Sequence, residues 1–425
     1  MFIQSIQLQN FRSVSSLTIK LSERLNVFAG INGAGKSTIL DATAILLSWL
    51  ANRIKTAGAS GRPIKESDIQ NNSSSSVLSA DLSDESVIVQ LGTSKTRPGM
   101  SKKEKSFDLS GLNEKIKQFQ KDITENNGKT NLPLLAYYPV HRAVLDIPLR
   151  IRNQHSFSIL ETYDESLTSG ANFRTFFEWF RNQEDIENEN RRYINSLIPP
   201  ENFEFPDKQL EAVRNALSIF MPNFKNWTVR RRPLQMEVDK DGQTLIVNQL
   251  SDGEKCLMAM VGDIARRMAL ANPLLDNPLH GDGIVLIDEV DLHLHPLWQR
   301  MMIPRLLETF PNCQFLISTH SPHVLTHVQP QNIFMLHTED GKFICEHPQE
   351  SYGKTSERIL EDLMGLDTTR QDIVKNALKA LFVRLQKGDI EQAKNDIKLL
   401  QQEIGEDPEL VKAQVLIKRK ELIGK

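Results

Sequence analysis

Apolar and polar residues mostly alternate along Phe2-Ile3-Gln4-Ser5-Ile6-Gln7-Leu8, the period of a half-buried strand. A second alternating piece, Leu17 to Leu21, and a continuous apolar one, Leu25 to Ala29, follow after short polar breaks. The chain then passes a glycine-rich turn, Gly30 to Gly35, into a helix expected over about 36–50. From about 56 to 130 the pattern thins. Val77 to Leu91 reads as a pair of strands between the low-complexity run Asn71–Ser76 and the charged run Ser101–Ser106. A β insertion with a mobile loop at about 94–106 is expected there. Leu134 to Tyr138 predicts a short apolar strand. Between Phe173 and Phe220 aromatic and aliphatic residues recur at helical spacing, interrupted at Pro199-Pro200, without the sustained heptads of a coiled coil. Trp227 to Val238 and Thr244 to Val247 predict one hairpin, turning at Asp239–Gly242. Helix, buried strand, helix and buried strand then close near Val328, and a charged, strongly helical module is expected beyond about Ser351.

Strands feeding helices in this order predict an α/β protein. The 425 residues allow two or three domains, and a 40% hydrophobic, 25% charged composition is that of a globular chain with a core. A formal net charge of −3 argues against gripping nucleic acid through the overall field, leaving local basic faces such as Arg230-Arg231-Arg232 and the lysine run near 102–105. No stretch approaches the ~18 apolar residues of a membrane span, and no signal peptide is apparent. Cys256, Cys313 and Cys345 show neither metal-ligand nor disulfide spacing, so the expected setting is a reducing cytoplasm.

Gly30-Ile31-Asn32-Gly33-Ala34-Gly35-Lys36-Ser37 fits G-x-x-x-x-G-K-[ST] between an apolar strand and a helix. Such a loop curls so that successive N–H groups, those of Asn32 to Thr38, face phosphate oxygens, with the helix dipole behind them. Lys36 would reach the β/γ-phosphates of ATP and Ser37 would ligate Mg²⁺. Ile284-Val285-Leu286-Ile287-Asp288-Glu289 reads as a central parallel strand ending in two acids. Asp288 is placed to hold Mg²⁺ through water, and Glu289 to orient or deprotonate the attacking water. Leu250-Ser251-Asp252-Gly253-Glu254-Lys255 satisfies a capping box at a helix start, which an ordinary helix N-cap would also explain.

Together these stretches resemble the SMC/Rad50/RecF/OLD branch of ABC ATPases over about residues 1–340, and within it the PtuA-type ATPases of Septu and retron antiphage systems. The second resemblance is carried by Tyr137–Arg142, the L-S-D-G-E-K stretch, E-V-D-L-H-L-H-P from Glu289 and S-T-H-S-P from Ser318. The resemblance implies a P-loop ABC-ATPase head, a mixed sheet with flanking helices, carrying a β/helical insertion and a C-terminal helical module. Its expected divisions are 1–55, 56–245, 246–350 and 351–425. It implies that Ser251, Gly253 and Glu254 form a signature facing the γ-phosphate bound by a second copy, so that ATP sites are shared in at least a dimer. It also implies a D-loop at Asp291–Pro296 and a switch histidine at His320. Asn10-Phe11-Arg12-Ser13 resembles the stretch whose arginine approaches the phosphates, and Gln70 is the candidate Q-loop glutamine at the metal. The expected function is ATP hydrolysis that regulates a separate HNH endonuclease resembling PtuB, with no nuclease in this chain. Nucleic acid would be met directly or through that partner, and no membrane is involved. The alternative is a RecF-like DNA-repair ATPase.

Overall fold

A computed structural model of the chain describes all residues except 85–86, 101–106, 141–142, 145–156, 195–202, 340–341, 367, 369 and 424–425. The lysine run, His141-Arg142 and Pro199-Pro200 therefore lie outside the described residues. The chain forms two compact units, Met1–Thr355 and Ser356–Lys425.

The strand Phe2–Phe11 buries Ile3, Ile6, Leu8 and Phe11, and a register shift between Ile3 and Ser5 accounts for the broken alternation at its start. It pairs antiparallel with Val14–Lys20 on one side and Ser75–Asp84 on the other. Ser75–Asp84 pairs in turn with Val87–Thr96. The strands expected as an insertion thus complete the N-terminal sheet, because Leu78, Ala80 and Leu82 alternate as Leu8 and Ile6 do, and the register sets Leu8 opposite Leu78. The loop expected from 94 begins later, since the strand runs to Thr96. A helix, Ser110–Glu125, was not anticipated. It buries Leu112 and Ile116, with Phe119 and Ile123 packed behind them, a narrow stripe in an otherwise charged segment.

A second sheet of six strands runs in the order Lys342–Glu346, Ile333–Glu339, Leu25–Ala29, Cys313–Ser318, Gly283–Ile287, Leu134–Tyr138. All neighbours are parallel except the first pair. The four strands from Leu25–Ala29 to Leu134–Tyr138 are buried along their whole length, as continuous apolar runs covered on both faces must be. The sheet extends past the expected end at Val328 by Ile333–Glu339 and Lys342–Glu346. The P-loop helix, Lys36–Lys55, packs into the core shared by both sheets.

The aromatic segment forms two helices, Phe173–Asn190 and Lys208–Phe220, each started by a side chain that accepts a backbone N–H: Asn172 from Thr175 and Asp207 from Leu210. The single expected hairpin is a three-stranded sheet, because Trp227–Val238 breaks at Arg232-Pro233 into Phe224–Arg231 and Leu234–Lys240, followed by Gln243–Ile246. The helix Asp252–Ala271 is anchored by fully buried Asp263. Asp263 accepts from Tyr138 Oη (3.0 Å), Arg266 Nη2 (2.8 Å) and Arg267 Nε (2.7 Å). Burial alone would raise that carboxyl, yet the two guanidiniums hold it below its ordinary value. In the second unit the helices Asp372–Lys387, Ile390–Ile404 and Pro408–Ile423 close on a core of Leu378, Leu381, Leu385, Ile397, Leu400 and Ile417. Among the described residues no helix is long and apolar enough to cross a membrane.

Candidate nucleotide site

The carboxyl ends of three adjacent parallel strands converge on the glycine-rich loop, the usual place for a ligand in an open α/β sheet. Leu25–Ala29 runs into Gly30, and Cys313–Ser318 runs into Thr319-His320. Gly283–Ile287 runs into Asp288-Glu289. Gly30, Gly33 and Gly35 have φ of 145°, 81° and 89°, conformations that side chains resist. Two of them are also confined: a Cβ on Gly30 would lie 2.3 Å from the Leu336 carbonyl, and one on Gly35 would lie 2.6 Å from the Phe343 ring. The late strands at 333–346 therefore confine Gly30 and Gly35, whereas Gly33 is required by its left-handed backbone alone. Asn32, Gly33 and Ser37 face solvent, whereas Ala34, Lys36 and Thr38 are buried.

Lys36 Nζ donates to the carbonyls of Gly30 (2.9 Å) and Ile31 (3.1 Å), holding the ammonium over the curl of the loop. Burial lowers its pKa, and the charges of Asp288, Glu289 and Asp291 oppose that. His320 is lowered by burial and by Lys36 against the same three acids, which favours neutral imidazole at neutral pH. Lys36, Asp288, Glu289, Asp291 and His320 thus form one electrostatic cluster.

Backbone geometry at the acids is unusual. Glu289 has φ 47°, in the left-handed region, a conformation costing of order 1–3 kcal/mol that persists when its surroundings enforce it. Its N–H donates to Ser318 Oγ (2.8 Å), and Ser318 Oγ donates to Asp288 Oδ1. The Asp288 N–H donates to the Tyr138 carbonyl (2.8 Å), and the Val290 N–H to that of Ser318 (3.0 Å). Asp291 Oδ1 accepts from Thr319 Oγ1 (2.5 Å) and from the His320 N–H (3.3 Å). Ser318 and Asp291 were not singled out from the sequence, although both lie inside the quoted motifs. Only the packing of the two strand ends shows that Ser318 holds the two acids and that Asp291 holds the Thr319-His320 turn.

The helix at Asp252 has the capping box expected of Ser251 and Glu254: Ser251 N–H donates to Glu254 Oε2 (2.8 Å) and Glu254 N–H to Ser251 Oγ (3.4 Å). Lys240 Nζ holds the other oxygen of Glu254 (2.6 Å). Burial raises the Glu254 carboxyl, but these hydrogen bonds and the lysine charge outweigh it and leave the group below its ordinary value. Ser251 stays exposed. Gly253 meets the D-loop of its own chain, since a Cβ there would lie 2.3 Å from the His293 carbonyl oxygen. His293 has φ 62°, and His295 caps the next helix by accepting the Leu297 N–H (3.3 Å).

Arg12, with φ 52°, donates from Nε to Asp68 (2.9 Å) and from Nη2 to Asp41 on the P-loop helix. The Gln70 N–H donates to the Asn10 carbonyl (2.9 Å), so Gln70 sits beside the Asn10–Arg12 turn, with its side chain half-buried. Among the described residues no group of three or more His, Cys, Asp or Glu side chains could hold a metal. A hydroxyl and a single acid suit Mg²⁺, which keeps waters and substrate phosphates as its other ligands. Cys313, one of three free cysteines, is buried and its thiol is pushed up to about 12. In the arginine triplet, Arg230 pairs with Glu237 (3.3 Å) and Arg231 with Glu184 (2.5 Å) and Asp185, so acids neutralise much of that basic patch.

Residues 25–326 match a family described as AAA domain, putative AbiEii toxin, Type IV TA system. The chain is 34% identical over 415 residues to the Retron Ec83 probable ATPase of Escherichia coli, covering 85% of this chain and 76% of the relative. It is 32% identical over 401 residues to the Retron Vc95 probable ATPase of Vibrio cholerae, covering 84% and 78%. The Septu protein PtuA of Bacillus thuringiensis is 23% identical over 383 residues, covering 88% and 87%. Among solved structures, an SmcHead bound to the C-winged helix domain of ScpA covers 82% of this chain and 98% of its own, at 14% identity and a TM-score of 0.47.

Proposed function

The chain belongs to this AAA-domain family and is an ATPase, and on that premise we propose that it is the ATP-hydrolysing subunit of a bacterial antiphage defence complex. Its ATP sites are shared between two copies, and their nucleotide state controls a separate HNH endonuclease of the PtuB kind. Relatives named for retrons and for Septu support the defence reading. The C-terminal helices 356–425 form the docking module for the partner. Nucleic acid is met through that partner, since the arginine triplet that would support a RecF-like reading is largely paired with acids.

The observation that carries the chemistry is the clustering of Lys36, Asp288, Glu289, Asp291 and His320 at the carboxyl ends of neighbouring strands. The N–H groups of Asn32 to Thr38 and the Lys36 ammonium bind the phosphates. Ser37 and Asp288, with Gln70 as the further candidate ligand, would hold Mg²⁺, which when bound would supply charge neutralisation on the phosphates. The Glu289 carboxylate accepts a proton from the water that attacks the γ-phosphorus, the bond to the β–γ bridging oxygen breaks and ADP leaves, and the left-handed backbone pinned by Ser318 sets the direction of that carboxylate. Neutral His320 and Arg12 donate hydrogen bonds to the γ-phosphate oxygens. Ser251 and Gly253 present a helix start, its acid already occupied by Lys240, to the phosphate held by the other copy.

Mixing two inactive variants tests the shared site. Lys36→Ala loses its own nucleotide, and Ser251→Arg blocks the opposing signature, so each alone is inactive. A mixed dimer contains one intact site, and the mixture is expected to recover a substantial part of wild-type ATPase. No recovery from a mixture in which hetero-dimers are demonstrated rejects sites shared in trans.

A further inference from the structure

We propose that Asp41 is the positioning residue that sets Arg12 at the nucleotide phosphates; the proposal rests on the phosphate role given to Arg12 above. Asp41 stands on the P-loop helix, one turn beyond Ser37, with its side chain 14% exposed. Its two oxygens are divided between arginines from outside the helix: Oδ2 accepts from Arg12 Nη2, and Oδ1 from Arg62 Nη2. Aspartate is a poor helix-interior residue, and here its carboxylate joins the first strand's turn and the segment after the helix to the helix that starts at the phosphate loop.

Each arginine is fixed by further hydrogen bonds. Arg62 Nη1 donates to the Leu167 carbonyl (2.9 Å), and its backbone N–H to Ser48 Oγ on the same helix (2.6 Å). Arg12 Nε donates to Asp68 Oδ1 (2.9 Å) and its backbone N–H to the Asp68 carbonyl (2.7 Å). Asp41 and Asp68 thereby occupy Nε and Nη2 of Arg12, while no described residue is a hydrogen-bond partner of its Nη1, and the side chain keeps 35% exposure. A guanidinium held by one edge and open at another is fitted to a second anion in a fixed direction. The neighbouring Tyr137 hydroxyl is raised by burial and then by the charges of Asp288 and Asp41, so the arginine cluster adjoins the acid that ends the central strand. Without Asp41, Asp68 alone would leave Arg12 free to rotate about its Nε contact.

The test is a double-mutant cycle in the full chain, reading KM and kcat for ATP with thermal melting as the control. Arg12→Ala is expected to raise KM about tenfold, the scale of one charge-assisted hydrogen bond, with a smaller change in kcat. Asp41→Asn is expected to reproduce most of that rise, to add nothing in the Arg12→Ala background, and to be partly rescued by Asp41→Glu. A normal KM in Asp41→Asn, or independent multiplication of the two effects, overturns the proposal while leaving the Arg12 reading intact. A normal KM in Arg12→Ala removes the phosphate role itself and the proposal with it. Should Asp41→Asn melt below the assay temperature, Arg62→Ala replaces it, with an expected KM rise of about two- to threefold that vanishes in the Arg12→Ala background. An equal rise in both backgrounds is the overturning result.

Discussion

Replacing Gly253 by alanine places one methyl group between two elements that are both held. The new Cβ would lie 2.3 Å from the His293 carbonyl oxygen, where real contacts essentially never come under 3.0 Å, so helix start or D-loop must yield by at least about 0.7 Å. The helix side is tied by Lys240 to Glu254 and by the buried Asp263 network. The D-loop side is tied by Asp291 to Thr319 and by Gln299 to the carbonyls of Leu294 and Asp291. In an open helix Gly→Ala gains up to ~1 kcal/mol, whereas forcing a methyl into a filled site costs about 1–3 kcal/mol. The balance is a net loss of up to about 2 kcal/mol, which for the unit Met1–Thr355 lowers the melting temperature by up to about 3 °C. Because the displaced groups are Ser251 and Asp291, ATPase is expected to fall about 10- to 100-fold, the scale of a misplacement approaching 1 Å. Differential scanning fluorimetry and steady-state phosphate release would read both, with the exposed neighbour Asp252→Ala expected to shift stability by less than about 0.5 kcal/mol. A Gly253→Ala protein that melts at or above the wild-type temperature and hydrolyses ATP within twofold of it refutes the steric argument.

Glu289→Gln is expected to bind ATP and accumulate as a closed dimer on size exclusion with ATP; hydrolysis at the wild-type rate would remove Glu289 as the base. The pH dependence of stability tests the salt bridge under the signature. Glu254 has a depressed pKa, so its contribution is present above the unfolded carboxylate value of about 4.3 and is lost as pH falls through the lower folded value. Lys240→Met removes the cation 2.6 Å away and leaves only the Ser251 hydrogen bonds against burial, so the acid limb of the urea midpoint, followed from about pH 7 to 2, should begin at higher pH than in wild type. Parallel acid limbs would show that Lys240 does not hold the charge.

Local chemistry was legible wherever a residue's neighbours in sequence are also its neighbours in space. Continuous apolar runs announced the buried strands at 25–29 and 284–287, and the loop motif needed only the strand before it and the helix after it. Ser251 and Glu254 paired as their three-residue spacing requires. Pairing across the chain was not legible. The strands at 75–96 read as an insertion because nothing local names Phe2–Phe11 as their partner, and Ile333–Glu339 was passed over because its mixed pattern becomes a core strand only beside Leu25–Ala29.

What the sequence determined by itself is the phosphate loop, the order of its strands and helices, and the pair of acids after Ile287, because backbone conformation and periodic burial act over a few residues. What only the tertiary structure decided is how those groups are aimed. The left-handed backbone of Glu289 leans on Ser318, Arg12 on Asp41 and Asp68, and Gly253 on the His293 carbonyl. Each of these is a hydrogen bond or a steric limit of a few ångströms between residues 29 to 56 positions apart, set when strands and helices pack and invisible to any local pattern.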